Sequence, residues 1–307
     1  MSSPPVELSV IIPSYNSRRT IRPVLKALRE QENAPAHEII MVDSSHDGTD
    51  ELVRLHFPEV HLRHLPRKTF QAQARNIGAA LARGHILVFL DADCRPHPDW
   101  LKQMAGSFEQ PDVLAVGGQL RNANPRTAVS RAMFLLQFRE SLQYGRWQAV
   151  TNMPANNVAY RRDFYLEQGG YPEQMGSSEE TLFHARLRAR DVALYVNPAA
   201  LVDHWNLEKM GRFLRHQVKQ GRFFRIACRT EDLPGSPWLK CFWLTPFFPL
   251  VRLWRIRSLL RQHVPQRWAR WRTWMPLVLG FICYSWGEMK GHWHGADTSP
   301  IMSRERA

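Results

Sequence analysis

Short apolar segments alternate with helical patterns along the first third of the chain, and this alternation is the feature that most constrains the fold. Runs rich in β-branched residues are typical of buried strands, whereas apolar residues three and four positions apart are typical of helices. Predicted strands cover residues 6–12, 38–42, 60–65 and 85–90, and predicted helices cover residues 21–30, 49–56 and 71–83. Such alternation predicts an α/β fold with a mainly parallel sheet.

Polar side chains stand where three of these predicted strands end, at residues 13–16, 43–45 and 91–93. In parallel sheets with crossover helices, ligands bind at the carboxyl ends of the strands. Asp91 and Asp93 lie one residue apart after an apolar strand, so both can reach one hard cation such as Mg²⁺ or Mn²⁺. An acidic pair of this kind also recurs in ordinary turns, so the motif is weak evidence when it stands alone.

Four motifs in a fixed order make the pattern specific. They are residues 9–16 (SVIIPSYN), 38–49 (EIIMVDSSHDGT), 74–78 (ARNIG) and 88–93 (VFLDAD). In order and spacing, residues 8–101 resemble the nucleotide-binding half of family 2 glycosyltransferases. The resemblance implies the GT-A fold, which contains a Rossmann-like nucleotide-binding sheet, and transfer of a sugar from a nucleotide sugar with inversion.

The resemblance also implies roles for residues of the donor site. Pro13 and Tyr15 would line the base pocket, with Asn16 beside them in the nucleotide-sugar site. Asp43 would hydrogen-bond the base, which in this family is usually uracil. Arg75 matches a basic residue near the diphosphate, whose oxygens suit the geometry of a guanidinium.

A metal site is implied at the end of the fourth strand. Asp91 would approach the ribose and the metal, and Asp93 would bind Mn²⁺ or Mg²⁺ directly. His204 resembles the third metal contact, because an imidazole can join two oxygen ligands. The metal would neutralise the charge that develops on the departing nucleotide diphosphate.

The second half of the chain carries an acidic motif, Glu179 and Glu180, in which Glu180 stands where the family usually has Asp. An inverting transfer needs a base near the acceptor hydroxyl. Glu180 is our candidate for this base, and Glu179 is the alternative. A third interpretation is that the two acids only complement the dipole of a helix N-terminus.

The net charge of +13 is concentrated toward the end of the chain, where residues 211–274 carry fourteen lysines and arginines against two acids. We interpret residues 1–210 as a GT-A catalytic domain and residues 211–307 as a basic, aromatic helical region. Its apolar segments, Trp238–Trp254 and Trp274–Trp286, are shorter than the ~20 residues of a spanning helix. A monotopic or re-entrant hairpin on an anionic membrane surface is therefore expected, with a two-helix crossing as the alternative.

Residues 1–7 lack the pattern of a secretory signal, and the four cysteines do not form a disulfide framework. We therefore expect the enzyme on the cytoplasmic face of the inner (plasma) membrane, acting on a lipid-linked or glycan acceptor. Residues 217–223 do not form the Gln-x-x-Arg-Trp motif of processive synthases, so one sugar is expected per acceptor.

Other functions stay open at this point. The acceptor could be polyprenyl phosphate, and the chain could instead be an inactive scaffold or a non-catalytic basic protein that binds membranes or nucleic acid. Basic residues interleaved with apolar runs and tryptophans favour a membrane interface over nucleic acid. A dehydrogenase is disfavoured, because no GxGxxG follows the first strand.

Overall fold

The computed structural model describes residues 6–230, 247–263 and 267–293. Within these residues the chain divides into two compact units. The first unit comprises residues 6–121 and 144–204, and the second comprises residues 122–143 and those that follow residue 204.

The first unit is an α/β layer structure. Its strands are β1 (Leu8–Ser14), β2 (His37–Asp43), β3 (Val60–His64), β4 (Ile86–Leu90), β5 (Cys94–Pro96), β6 (Ala115–Asn122), β7 (Gln148–Val150), β8 (Asn157–Arg161) and β9 (Leu194–His204). Its helices are α1 (Ile21–Arg29), α2 (Thr49–His56), α3 (Gln71–Leu81), α4 (Trp100–Gly106), α6 (Arg162–Glu167) and α7 (Glu179–Arg188). The predicted alternation of strands and helices up to residue 90 is confirmed.

In the described residues these strands form one mixed sheet in the order β3-β2-β1-β4-β8-β6-β9-β5, with β7 paired to β9. Strands β1 to β4 are parallel, and β8 joins β4 in the antiparallel direction. Register aligns Ser14 with Asp43 and Asp43 with His64 at the carboxyl ends of three neighbouring strands. Pairing of β5 with β9 sets Cys94 opposite His204. The sheet thereby gathers residues from distant parts of the sequence at one edge.

The core of this unit lies between the sheet and its helices. Apolar strand residues such as Ile11, Leu87 and Phe89 are fully buried. Helix α3 comes close to β1, because a Cβ on Gly78 would lie 2.4 Å from a methyl carbon of Ile11. The close packing of α3 fixes the neighbouring Arg75 beside the strand ends.

The second unit is helical. It contains α5 (Ala128–Phe138), a short 3₁₀ helix (Arg139–Gln143), α8 (Met210–Thr230), α9 (Phe248–His263) and α10 (Arg267–Trp293). Helices α8 and α10 pack backbone against backbone: a Cβ on Gly221 would lie 1.9 Å from the Tyr284 carbonyl oxygen, and one on Gly287 would lie 2.1 Å from that of Val218. Only glycine leaves room for this approach.

An ion pair joins α9 to α10. Nη1 and Nη2 of Arg252 donate to the Glu288 carboxylate at 2.9 and 2.7 Å, and Nη1 also donates to the Ser285 hydroxyl. Glu288 is buried, so removal of Arg252 would leave a buried carboxylate without its cation. Although burial works against a charge on Arg252, Glu288 outweighs it and raises the pKa of the guanidinium.

Part of the predicted C-terminal region is described. Helix α9 runs from the apolar segment Trp238–Trp254 into the basic stretch that follows it; residues 238–246 lie outside the described part of the chain. Pro249 lies in the first turn of α9, where its missing N–H costs no hydrogen bond. Across the described residues, no helix is both long and apolar enough to span a bilayer. Membrane association stays a prediction.

Candidate active site

The end of β4 and the end of β9 bring three potential ligand atoms together. Ligand atoms of Asp93, Cys94 and His204 all lie within 4.8 Å of one another, and Nε2 of His204 is 3.8 Å from Oδ1 of Asp93. His204 is buried, whereas the side chain of Asp93 is 40% exposed. The predicted partners Asp93 and His204 are therefore neighbours, although they are far apart in sequence.

The chemistry of these donors fits Mn²⁺ or Mg²⁺. A carboxylate oxygen and an imidazole nitrogen are ligands that Mn²⁺ accepts, and Mg²⁺ is usually held by one or two carboxylates. Cys94 is a poor ligand for either ion, because sulfur suits softer metals; burial also raises the pKa of its thiol well above the ordinary value. Partial burial and nearby Asp91 raise the pKa of Asp93, while His204 opposes the rise. A divalent cation would relieve this crowding of negative charge.

Asp91 has a different partner from Asp93. Its Oδ1 accepts a 2.6 Å hydrogen bond from Nη2 of Arg75, whose Nη1 donates to Oε1 of Glu179 over the same distance. Arg75 is 1% exposed. Burial disfavours its charge, but Asp91 and Glu179 together raise its pKa, so the guanidinium stays protonated. Arg75 thus links the predicted metal site to the predicted base motif.

Glu179 and Glu180 form the first turn of α7, after Ser178 in the left-handed conformation at φ 66°. The buried Glu179 is committed to Arg75, whereas Glu180 is only partly buried. Burial and the neighbouring Glu179 carboxylate raise the pKa of Glu180 to about 8. Both acids do lie at a helix N-terminus, but their surroundings differ in a way that a simple dipole role does not require.

A cluster of buried rings, which includes Tyr160, Tyr171 and His184, packs near Arg75. The Arg75 guanidinium carbon is 5.9 Å from the ring centre of Tyr171. The Tyr160 hydroxyl shares hydrogen bonds with the Tyr171 hydroxyl at 3.0 Å and with Nε2 of His184 at 2.6 Å, and Nδ1 of His184 contacts Asn152. Burial lowers the pKa of His184 to about 3, so its imidazole is neutral. This polar network holds the side chains that pack against Arg75 in a fixed geometry.

Asp43 lies at the carboxyl end of β2 and is fully buried. Its Oδ1 accepts from the Ser45 hydroxyl at 2.5 Å, and its Oδ2 accepts from the Ser45 backbone N–H and lies 3.0 Å from Nδ1 of His64. Both oxygens therefore already have protein partners. The predicted contact between Asp43 and a base stays a prediction.

The residues after β1 lie beside Asp43. Asn16 adopts a left-handed conformation at φ 53°, and its backbone N–H donates to the Ser45 hydroxyl at 2.7 Å. Tyr15 is 40% exposed, and Nζ of Lys68 lies 4.7 Å from the centre of its ring. The buried Ser14 hydroxyl at the end of β1 has no hydrogen-bond partner in the described structure. The ring of Tyr15, the ammonium group of Lys68 and the hydroxyl of Ser14 are therefore available near Asp43.

Several residues of the site escape sequence reasoning. His64 ends β3 beside Asp43, and the order of the parallel strands could have indicated this contact. Cys94 could have been found because it directly follows Asp93 in the sequence. The sequence does not indicate the hydrogen bonds that join Tyr160 to Tyr171 and to His184, because buried aromatic residues are common in any core.

Residues 9–168, more than half of the chain, match glycosyl transferase family 2. The chain belongs to this family and is a glycosyltransferase.

Individual relatives agree with this assignment. Glycosyltransferase AglE of Haloferax volcanii is 28% identical over 225 residues, which cover 70% of this chain and 72% of that protein. Glucosyl-dolichyl phosphate glucuronosyltransferase of the same organism is 24% identical over 181 residues, which cover 56% of this chain and 58% of that protein. Among solved structures, the mannosyltransferase PcManGT of Pyrobaculum calidifontis, in complex with GDP-Man and Mn²⁺, has a TM-score of 0.64 at 20% identity, over 94% of this chain and 87% of that one. This last likeness shows a shared fold.

Proposed function

We propose that the chain transfers one sugar, with inversion, from a nucleotide sugar to a hydroxyl of a lipid-linked or glycan acceptor. The observation that carries the proposal is the chain of ion pairs Asp91–Arg75–Glu179, with Asp93 and His204 in contact beside Asp91 and with Glu180 next to Glu179. This set provides a place for a cation, a fixed positive charge and a base within one unit. The donor is a UDP-sugar, as the family resemblance implies.

Asp93 and His204 would hold Mn²⁺ or Mg²⁺, with Asp91 beside them, and the cation supplies charge neutralisation on the departing diphosphate. The neighbour crystallised with GDP-Man and Mn²⁺ supports both the cation and a nucleotide-sugar donor. Arg75 contributes a permanent positive charge, because its two carboxylate partners keep it protonated. The guanidinium donates to both Asp91 and Glu179.

Glu180 is the base of the proposed reaction. Its carboxylate takes the proton of the acceptor hydroxyl while the oxygen bonds to the anomeric carbon, and the bond from that carbon to the nucleotide diphosphate breaks on the opposite face. Glu179 is less suited to this role, since one of its oxygens is held by Arg75 at 2.6 Å. The exposed ring of Tyr15 would lie against the base of the nucleotide, with Pro13 and Asn16 beside it.

The presence of a general base favours a hydroxyl as the acceptor group. A phosphate oxygen is already nucleophilic, whereas a hydroxyl benefits from a base such as Glu180. A relative named for a glucosyl-dolichyl phosphate substrate supports an acceptor that carries a sugar on a lipid.

Product analysis tests this proposal. The enzyme is mixed with UDP-, GDP- and dTDP-sugars, and with either bare polyprenyl phosphate or a polyprenyl-linked sugar. We expect transfer from a UDP-sugar to the sugar hydroxyl, with the opposite anomeric configuration in the product. Transfer only to the bare phosphate, or a product with the donor's configuration, would contradict the proposed acceptor or the inversion.

A further inference from the structure

Apolar side chains of α9 and the residue before it are exposed on one side of the helix. Phe247, Leu250, Val251 and Trp254 follow one another at three- and four-residue spacing, which places them on a single face. Trp254 is 75% exposed. The opposite side of α9 holds the buried residues of the helical core, so among the described residues this exposed face is not part of that core.

Helix α10 has a second exposed apolar face. It consists of Trp271, Met275, Leu279, Ile282, Trp286 and Trp293. Their spacing again selects one side of the helix, and it is opposite to the glycines that pack on α8. Trp271 is 77% exposed. The two apolar faces are together called the α9–α10 surface, and they expose four tryptophans, Trp254, Trp271, Trp286 and Trp293.

The charge of these two helices has one sign. Helices α9 and α10 contain eight lysines and arginines and a single acid, Glu288. Glu288 is buried and is neutralised by Arg252, so it adds no negative charge to the surface. On α9, Arg255 and Arg257 are exposed on either side of the apolar face. An apolar stripe flanked by arginines therefore faces the solvent.

We propose that the α9–α10 surface docks in the headgroup layer of a bilayer that contains anionic lipids. Tryptophan and aliphatic side chains enter the boundary of the acyl chains, and the flanking arginines contact lipid phosphates. Arginine stems are long enough to lie along the apolar boundary while the guanidinium stays among the headgroups. The rings of Trp254 and Trp271 are suited to this boundary, because each combines an apolar body with a polar N–H.

Nucleic acid is a weaker candidate for the same surface. Its phosphates would satisfy the arginines, and its bases could stack on tryptophan. Aliphatic residues such as Val251, Met275 and Ile282 have no stacking face, yet they occupy the middle of the two apolar faces. An acyl boundary accommodates both kinds of side chain.

Binding to vesicles tests this proposal with the full chain and without any use of sugar transfer. The protein is mixed with vesicles of phosphatidylcholine alone or with one-third phosphatidylglycerol, and bound protein is measured by flotation. We expect binding that increases with the anionic lipid and decreases with salt, since surface charges are screened over about 8–10 Å at physiological ionic strength. Equal binding to both vesicles, or none to either, would overturn the proposal.

Substitutions then locate the binding surface. We expect the pair Trp254→Ser and Trp271→Ser to weaken binding at least ~10-fold, because two aromatic side chains no longer enter the bilayer. The matched control is Leu55→Ser, which removes an apolar side chain that is 76% exposed on α2. Loss of binding in the control, or unchanged binding in the tryptophan variant, would contradict the assignment.

Charge reversals test the electrostatic part. Arg255→Glu with Arg257→Glu should weaken binding to the anionic vesicles at least ~25-fold, from about fivefold per charge removed. Arg22→Glu on α1, an exposed arginine of the first unit, should have little effect. If these variants lower affinity for an oligonucleotide but not for vesicles, the surface binds nucleic acid. If Trp254→Ser instead dissociates an oligomer, the surface joins copies of the chain, and either result overturns the membrane proposal.

Discussion

Arg75 donates from Nη1 to Oε1 of Glu179 over 2.6 Å, although 104 positions of sequence separate the two residues. The same guanidinium donates to Asp91 from its other terminal nitrogen. The buried guanidinium of Arg75 therefore fixes the positions of both Glu179 and Asp91. Most of the expected behaviour of the site follows from this arrangement.

The Arg75 link should stabilise the first unit. Arg75→Leu leaves Glu179 buried without its cation, and removal of one partner from a buried ion pair costs about 3–5 kcal/mol. The matched control is Arg54→Leu, which breaks an exposed pair with Asp50 within α2 and should cost under ~1 kcal/mol. Urea unfolding of both variants measures the difference. Similar costs for the two would contradict the structural role of Arg75.

The two acids of α7 should behave differently when each is replaced by its amide. Glu180→Gln should keep the fold and donor binding but slow sugar transfer at least ~10²-fold, which is a usual contribution of a general base. Glu179→Gln should also lower the unfolding free energy, because Arg75 then donates to a neutral amide oxygen instead of a carboxylate. Steady-state transfer rates and unfolding curves separate the two. A larger catalytic loss in a stable Glu179→Gln protein would exchange the roles.

The raised pKa of Glu180 predicts opposite effects of pH on activity and stability. The base must be ionised, so kcat/KM should rise with pH and level off above about pH 8. The folded protein favours the neutral carboxyl, while the unfolded chain ionises near the ordinary value of 4.5. Glu180 therefore lowers stability progressively as pH rises from about 4.5 to about 8. Glu180→Gln should raise Tm at pH 8 and leave it unchanged at pH 4; an equal change at both would contradict the shift.

The close packing of α8 on α10 can be tested with glycine substitutions. A Cβ at Gly287 would lie 2.1 Å from the Val218 carbonyl oxygen, so Gly287→Ala should force the helices apart and cost about 1–3 kcal/mol. Gly211, also helical and in the same unit, has no atom within 4 Å of the corresponding Cβ. Gly211→Ala should stabilise by up to ~1 kcal/mol through helix propensity. Thermal unfolding measures the change in Tm of both variants. If Gly287→Ala raises Tm as Gly211→Ala does, the contact is not tight.

Local patterns predict much of the first unit because each strand and helix before residue 90 has its own apolar period. The ends of these strands carry Asp43 and Asp91, so their grouping follows from the parallel order. The pairing of Arg75 with Glu179 could not be predicted, since it depends on β8 joining β4 in the antiparallel direction and on the fold that brings α7 to α3. In the second unit, arginine-rich helices conceal their boundaries, because arginine continues a helix as readily as an apolar residue does.

The central claim is that the Asp93 edge holds a cation required for sugar transfer. Its most direct test is the turnover of a UDP-sugar after removal of metal with EDTA and addition of Mn²⁺, measured for the wild-type chain, Asp93→Ala and the exposed control Asp112→Ala. We expect Mn²⁺ to restore turnover in the wild type and in Asp112→Ala, and Asp93→Ala to stay at least ~10²-fold below them, as the loss of several kcal/mol of transition-state stabilisation requires. Turnover by the wild type without metal, or near wild-type turnover by Asp93→Ala, would contradict the claim.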